Sequence, residues 1–135
     1  MARKARVSAA MVSLIREGRL HAWTLEELHA ALARRGFITD FSSVFRAAEK
    51  LTADGIARKF LLDDGRARFE LVSGHHDHLF CTRCHDVVPV PCVFDRAKFA
   101  AVERQTGASI QSHQVVLRGL CRNCRAAPVD DEATA

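Results

Sequence analysis

Four of the five cysteines form two Cys-x-x-Cys pairs, a spacing that can bind a metal ion. The pairs are Cys81 with Cys84 and Cys121 with Cys124, and 36 residues separate them. Four thiolates can fill the tetrahedral shell of Zn(II), and a filled shell leaves no position for a substrate. A redox-active thiol pair is the alternative for a single motif, but two matched pairs favour structural zinc. Its binding free energy would then contribute to folding.

A histidine-rich tetrapeptide, His75-His76-Asp77-His78, lies two residues before the first cysteine pair. Side chains alternate in an extended segment, so His76 and His78 would share one side while His75 and Asp77 share the other. One tetrapeptide can therefore supply ligands to two metal sites. A polar loop without metal is the alternative interpretation.

Further candidate ligands lie elsewhere in the chain. Glu70 and His21 can supply ligands from the N-terminal half, and His113 can join His75 and Asp77. The fifth cysteine, Cys92, is interpreted first as a small buried hydrophobe. The alternative is that its thiolate is an extra metal ligand, which would shift the metal preference toward zinc.

The elements that must position these residues begin with helices. Apolar residues recur at helical spacing from 7 to 15 and predict a helix that ends near Gly18. Thr24, with Glu27 three residues later, predicts a capping box at the start of a second helix, which Gly36 ends.

A third helix and a hairpin follow. Ser42 or Ser43 is predicted to cap the helix, with Gly55 as its C-cap. Segments 56–62 and 66–72, joined by Asp-Asp-Gly, predict a β-hairpin. Three helices and a two-stranded wing make a winged helix-turn-helix, whose third helix enters the major groove of DNA. An ordinary small helical domain is the alternative.

Charge is unevenly distributed along the 135 residues. Residues 1–72 hold 13 Lys and Arg against 9 Asp and Glu, whereas residues 73–135 hold 7 of each. This asymmetry favours an anionic partner, nucleic acid above all. No run approaches the roughly 18 apolar residues of a membrane span, and the N-terminus predicts an amphipathic helix and not a signal peptide. A cytoplasmic location is predicted.

The second half predicts a small mixed domain. Segments 78–81 and 86–90 are predicted strands, and Asp95 is predicted to cap a helix that reaches Gly107. Residues 109–120 alternate and predict one long strand containing His113. The last residues, 126–135, predict a mobile acidic tail.

Together these motifs resemble the ferric uptake regulator (Fur) family of metal-responsive repressors. The resemblance is carried by Phe69-Glu70-Leu71, the histidine tetrapeptide and the cysteine pairs, and it covers roughly residues 6–125. Ser43-Val44-Phe45-Arg46 is similar to the family's recognition-helix segment, usually Thr-Val-Tyr-Arg, with Phe45 in place of the tyrosine. The resemblance implies a homodimer, paired through its C-terminal domain, that represses metal-uptake genes when metal is bound.

The resemblance also implies roles for individual residues. Structural zinc is expected at Cys81, Cys84, Cys121 and Cys124. A regulatory metal is expected at an interdomain hinge on Glu70, His76 and His78, with His21 as a further candidate. An auxiliary metal site is expected on His75, Asp77 and His113. DNA contacts are expected from Ser43, Phe45 and Arg46, with Arg6 near a phosphate or the minor groove.

Departures from the family pattern concern mainly the metal sites. The usual hinge histidine aligns with Ala22, one position after His21. Pro89 and Arg96 stand where acidic ligands usually occur, so the auxiliary site lacks one ligand of the family set. His85 stands where a glycine usually follows the first cysteine pair.

The sequence thus predicts an α+β fold with three segments. These are a winged-helix DNA-binding domain at 1–73, a small α/β metal-binding dimerisation domain at 74–125, and the tail at 126–135. The predicted function is a metal-dependent repressor that binds a double-stranded operator with two half-sites and uses Fe(II) or Mn(II) as co-repressor. Zinc-sensing and peroxide-sensing members of the family are the alternatives. A small zinc hydrolase is the alternative from another class, but no His-x-Glu precedes the first cysteine pair, and the chain is short for a substrate pocket.

Overall fold

The computed structural model describes residues 2–18 and 20–127 and divides into two compact units. The N-terminal unit runs to Gly74, and the C-terminal unit begins at His75. Most of the predicted acidic tail, residues 128–135, lies outside the described residues.

The N-terminal unit consists of three helices followed by a two-stranded antiparallel sheet. The elements are α1 (Ala2–Glu17), α2 (Leu25–Arg34), α3 (Phe41–Ala53), β1 (Ala57–Leu61) and β2 (Ala67–Leu71). Trp23 adds a bridge to the outer side of β2, because its backbone N–H donates to the carbonyl of Phe69 at 2.9 Å and its carbonyl accepts from Phe69 at 2.7 Å. The helices and the wing are therefore joined by backbone hydrogen bonds as well as by packing.

One apolar core holds the three helices against the sheet. Each helix contributes residues three or four positions apart, the spacing that places side chains on one face. The fully buried members include Val7, Met11, Leu28, Leu32, Val44 and Phe69. The opposite faces of the helices remain in solvent.

The helix ends follow side-chain capping, with one correction to the sequence prediction. Thr24 and Glu27 form the predicted capping box at α2. The N-cap of α3 is Asp40 and not Ser42 or Ser43, because its carboxylate accepts from the backbone N–H of Ser43 at 3.2 Å. A carboxylate at this position also complements the positive end of the helix dipole. At the other end, the C-cap is Asp54 and Gly55 follows it with φ of +75°.

The C-terminal unit is a three-stranded mixed sheet with two helices. The elements are β3 (Asp77–Cys81), β4 (Val87–Val90), α4 (Arg96–Thr106), β5 (Val116–Gly119) and α5 (Arg122–Ala126). The sheet order is β4-β3-β5, with β3 antiparallel to β4 and parallel to β5. Asp95 caps α4 as predicted, and Gly107 ends it with φ of +72°.

The long strand predicted over 109–120 is wrong for its first half. Only Val116–Gly119 pairs with β3, and the segment before it is irregular. Two of its backbone N–H groups are taken by side chains: Val115 donates to Asp77 at 3.3 Å, and Ile110 donates to Glu103 at 3.0 Å. These groups are satisfied without a neighbouring strand, so alternation alone does not make the segment a strand. The short helix α5 was not predicted, because five residues carry little periodicity.

Candidate metal centres

The four paired cysteines meet in the C-terminal unit. One ligand atom from each of Cys81, Cys84, Cys121 and Cys124 lies within 4.8 Å of the others. The sulfurs of Cys84 and Cys121 are 3.7 Å apart. Four sulfurs about 2.3 Å from a tetrahedral zinc lie about 3.8 Å from one another. The group therefore fits Zn(II) in both donor type and spacing.

Backbone hydrogen bonds orient the sulfurs. The N–H of Cys84 donates to the sulfur of Cys81, and the N–H of Cys124 donates to the sulfur of Cys121, both at 3.5 Å. Burial opposes ionisation of Cys81, but the surrounding backbone N–H groups outweigh it and lower the pKa of this thiol to about 6. Burial, and then the neighbouring sulfurs, raise the pKa of Cys124 to about 12. Four thiolates this close together need a cation to coexist.

The turn after the first cysteine pair contains a left-handed residue. His85 has φ of +64°, a backbone conformation that favours glycine because glycine has no Cβ. Its N–H donates to the carbonyl of Cys81 at 2.9 Å, and its ring lies 5.3 Å from that of Phe80. The departure noted in the sequence, histidine in place of glycine, therefore falls at a position whose backbone favours glycine.

A second group in the same unit contains two histidines, a carboxylate and the fifth cysteine. Its members are His75, Asp77, Cys92 and His113, and their ligand atoms all lie within 4.8 Å of one another. Nε2 of His113 lies 2.8 Å from Nε2 of His75 and 3.3 Å from the sulfur of Cys92. Oδ1 of Asp77 lies 3.7 Å from His75 and 3.8 Å from His113. The structure thus brings together the predicted auxiliary residues and adds Cys92 to them.

The four residues of this group come from three separate segments of the C-terminal unit. His75 and Asp77 lie on one side at the start of β3, and His113 comes from the irregular segment before β5, which corrects its predicted place in a strand. Cys92 follows β4 by two residues and is half-buried. Because β4 is antiparallel to β3, the end of β4 returns to the start of β3, where Asp77 pairs with Val90. No spacing in the sequence indicates this meeting.

In the N-terminal unit, Glu70 is a buried carboxylate. It lies in β2 and is 2% exposed. Oε2 of Glu70 is 2.6 Å from Nε2 of His21, and Oε1 is 3.8 Å from Arg58 on the paired strand. His21, and not the buried Ala22, is therefore the residue whose side chain reaches Glu70.

In the C-terminal unit, the other half of the histidine tetrapeptide forms its own pair. The rings of His76 and His78 have centroids 4.8 Å apart, and His78 is 1% exposed. They lie on the same side of the extended chain, and His75 and Asp77 approach one another separately. The alternation seen in the sequence accounts for both pairs.

The predicted DNA-contacting residues lie on or near exposed helix faces. Phe45 is 46% exposed on α3, and Arg46 beside it is also exposed. A guanidinium nitrogen of Arg46 lies 3.5 Å from the hydroxyl of Ser43 on the preceding turn. Arg6 is exposed on α1. Val44, Ala47 and Ala48 anchor the buried side of α3, which leaves the other side free for a partner.

In the residues that the structure describes, no helix is long and apolar enough to cross a membrane.

The sequence profile of the ferric uptake regulator family matches residues 3–118. The chain belongs to this family. The ferric uptake regulation protein of Bordetella parapertussis is 30% identical over 116 residues, which are 85% of this chain and 84% of that protein. The zinc uptake regulation protein of Mycobacterium tuberculosis is 30% identical over 101 residues, 74% of this chain and 78% of that protein. The solved structure of the Helicobacter pylori ferric uptake regulator matches with a TM-score of 0.77 and 19% identity, covering 92% of this chain and 83% of that chain.

Membership of the family confirms several predictions. The α+β fold, with an N-terminal winged helix-turn-helix and a small C-terminal domain that carries the four-cysteine group, is that of the family. The chain is a metal-responsive transcription regulator that binds DNA. The four-cysteine group suits Zn(II), and the groups of histidine and carboxylate donors suit divalent metal ions in general.

Proposed function

We propose that this regulator is a cytoplasmic homodimer that represses metal-uptake genes when a regulatory metal is bound at the hinge between its units. It is not an enzyme in this proposal. The observation that carries it is the position of Glu70: a buried carboxylate, already paired with His21, that lies six residues before His76 in the chain. Glu70 and His21 would supply the ligands of the N-terminal unit, and His76 and His78 those of the C-terminal unit.

When bound there, the metal would link the two units and restrict the angle between them. Glu70 is a carboxyl group held away from water, and the contacts with His21 and Arg58 offset the cost of that burial. The carboxylate is thereby kept in place on the rigid hairpin. Imidazole and carboxylate donors suit Fe(II) and Mn(II), which supports these ions as co-repressors.

The DNA-contacting surface would be the exposed face of α3. Ser43, Phe45 and Arg46 lie there, and Arg6 on α1 adds positive charge. In a dimer the angle between units sets the distance between two α3 helices, which must match half-sites about 34–36 Å apart. Without regulatory metal the binding-competent arrangement is one of several, so the affinity for the operator falls in proportion to its population.

Dimerisation would use the C-terminal unit. β5 lies at the edge of its sheet, and Leu117 on it and Leu120 after it are both 39% exposed. α4 buries none of its residues within the described chain, although Val102 on it is apolar. An apolar helix face and an open strand edge are surfaces that a second copy can cover. Leu117→Glu is expected to yield a monomer in sedimentation velocity, and an unchanged dimer would reject this surface.

A zinc-sensing regulator is the second candidate. The identity to the zinc uptake regulation protein equals the identity to the ferric uptake regulation protein, 30% in each case. Cys92 adds a soft donor that Zn(II) accepts more readily than Fe(II) or Mn(II). Peroxide sensing has no comparable observation in its favour.

The test measures operator binding of the full chain after regulatory metal is removed with a mild chelator and Fe(II), Mn(II) or Zn(II) is added back separately. The variants Glu70→Gln and His78→Ala should keep the fold, judged by circular dichroism, and lose metal-dependent binding. Glu17→Gln and His29→Gln are matched controls, because Glu17 is exposed and His29 bonds the carbonyl of Thr39 and belongs to none of the metal-ligand groups in the described residues. A normal metal response in either hinge variant would reject the hinge assignment.

A further inference from the structure

The group formed by His75, Asp77, Cys92 and His113 differs from the expected auxiliary site in one ligand. Arg96 stands where the family pattern has an acidic ligand, and the structure places the sulfur of Cys92 beside His113 instead. We propose that Cys92 is a metal ligand and that the four residues hold Zn(II) in preference to Fe(II) and Mn(II). This deepens the proposed function and rests on it in one respect: it assigns a second metal site to the same regulator.

The distances within the group suit a tetrahedral ion. Nitrogen and sulfur ligands at zinc bond lengths lie about 3.3–3.6 Å from one another. The distances from His113 to His75, Cys92 and Asp77 are 2.8, 3.3 and 3.8 Å, and His75 lies 3.7 Å from Asp77. The closest pair needs to separate by only a few tenths of an ångström to bind one ion. Shifts of this size are within the reach of half-exposed side chains.

Asp77 supplies an independent sign that a cation belongs here. The residue is 1% exposed, and its Oδ2 has no hydrogen-bond partner among the residues that the structure describes. Oδ1 accepts from the backbone N–H of Val115. In the described part of the chain, the basic groups within 4.0 Å of this carboxylate are the two histidines. A buried carboxylate with one unsatisfied oxygen is costly unless a cation neutralises it.

Charge and donor type then select the ion. Two neutral imidazoles, one carboxylate and one thiolate together carry two negative charges, which a divalent ion neutralises. Thiolate is a soft donor, whereas Fe(II) and Mn(II) favour sites built from nitrogen and oxygen. Replacing an acidic ligand by Cys92 therefore keeps the charge of the ligand set and moves its preference toward Zn(II).

The site has a route to solvent. A cavity of about 440 Å³ lies against His113, between α4 and the irregular segment that precedes β5. Arg96, at the position that lost its acidic ligand, lines this cavity together with Glu103 and His113. An ion can reach the group without unfolding of the sheet.

The rival explanation is a hydrogen-bonded cluster without metal. His75 and His113 can share one proton, and the thiol of Cys92 lies 3.4 Å from the carbonyl of Phe94, to which it can donate. Such a cluster would need no cation, but it leaves Oδ2 of Asp77 unsatisfied. A spectroscopic probe of the metal–sulfur bond separates the two explanations.

The probe is Co(II), whose bonds to thiolate absorb in the near ultraviolet. The full chain carrying structural zinc and the substitution Glu70→Gln, which disables the hinge, receives one equivalent of Co(II) under anaerobic, reducing conditions. We expect an absorption band from one thiolate per cobalt, displaced by equimolar Zn(II) and not by equimolar Mn(II). Adding Cys92→Ser should abolish the band and weaken Zn(II) binding at this site at least about tenfold. The control Ser112→Ala, an exposed neighbour of His113, should change neither.

Two results would overturn the inference. One is the absence of the band in the protein that keeps Cys92; the other is an equal band after Cys92→Ser, which would assign the signal to the structural cysteines. The readout does not use DNA, so its failure leaves the hinge assignment standing. Conversely, if operator binding is indifferent to metal, a band that depends on Cys92 still establishes the site.

Discussion

Removal of the structural zinc is predicted to unfold the C-terminal unit and leave the N-terminal unit folded. Among the described residues, the apolar side chains buried in the C-terminal unit, apart from cysteine, are Phe80 and Val87. Burial of each contributes about 1.5–3 kcal/mol. Zinc bound by a four-ligand structural site contributes about 10–16 kcal/mol at neutral pH. The binding free energy lost with the metal is therefore comparable to the whole net stability of a typical domain, about 5–15 kcal/mol.

The N-terminal unit has a different source of stability. Its core contains Met11, Leu28, Leu32, Val44 and Phe69, all almost fully buried, and includes no cysteine. Its hairpin and its capped helices need no metal ligand for their hydrogen bonds. Chelation should therefore leave its stability nearly unchanged.

Hydrogen exchange read by mass spectrometry tests both statements on one sample. After treatment with a strong chelator and a thiol reductant, peptides from β3, β4 and β5 should lose protection, whereas peptides from α1 to α3 should keep it. Cys121→Ser should reproduce the result without chelator, whereas the control Ser112→Ala, at an exposed residue outside the ligand groups, should not. Protection of β3 to β5 that survives verified removal of zinc would refute the reasoning, because it would show that apolar packing alone holds this unit.

Three further predictions follow from single residues. Asp40→Ala should destabilise the N-terminal unit by about 1 kcal/mol in urea unfolding, since the N-cap of α3 is lost, whereas Ser42→Ala should have little effect. His85→Gly should raise the free energy of unfolding by up to about 1 kcal/mol, because glycine adopts φ of +64° at lower cost; a loss would mean that the contact with Phe80 outweighs the backbone strain. Arg46→Ala should weaken operator binding. If Arg46 contacts a base edge, the loss should be about 1–3 kcal/mol and the sequence specificity should relax. If Arg46 contacts a phosphate, the slope of binding affinity against salt concentration should fall by about one. Operator affinity and salt dependence unchanged from the wild type would remove Arg46 from the interface.

Much of the N-terminal unit could be predicted from sequence because its signals are local. The capping box at Thr24 and Glu27 and the hairpin after Gly55 lie within a few residues of the backbone groups they satisfy. The wrong prediction of the N-cap of α3 is also a local error. Asp40, Ser42 and Ser43 lie within four residues and are all good caps in type, so only the position of the first helical turn decides which one accepts the hydrogen bond.

The metal groups were less accessible to sequence reasoning because their members come from distant segments. The cysteine pairs could be matched by spacing, but the place of Cys92 depends on β4 returning antiparallel to β3. His21 is a similar case. Alignment places Ala22 at the family's ligand position, yet the chain between α1 and α2 turns His21 toward Glu70 and buries Ala22.

The wrong strand prediction and the second metal group involve one residue, Asp77. Oδ1 of Asp77 accepts the backbone N–H of Val115, so that group is unavailable to a sheet and the chain before β5 is released from the ladder. The released segment carries His113 to the start of β3, where His75 and Asp77 lie. Asp77 therefore has two contacts: one carboxylate oxygen accepts a backbone hydrogen bond directly before the start of β5, and the same carboxylate belongs to the group that contains His113. Asp77→Asn tests this coupling, because the amide oxygen can still accept from Val115 while its charge is lost. We expect Asp77→Asn to keep the fold of the unit and to weaken Co(II) binding at the Cys92 site. Loss of the fold would show that the unit needs the charge of Asp77 and not only its hydrogen bond with Val115.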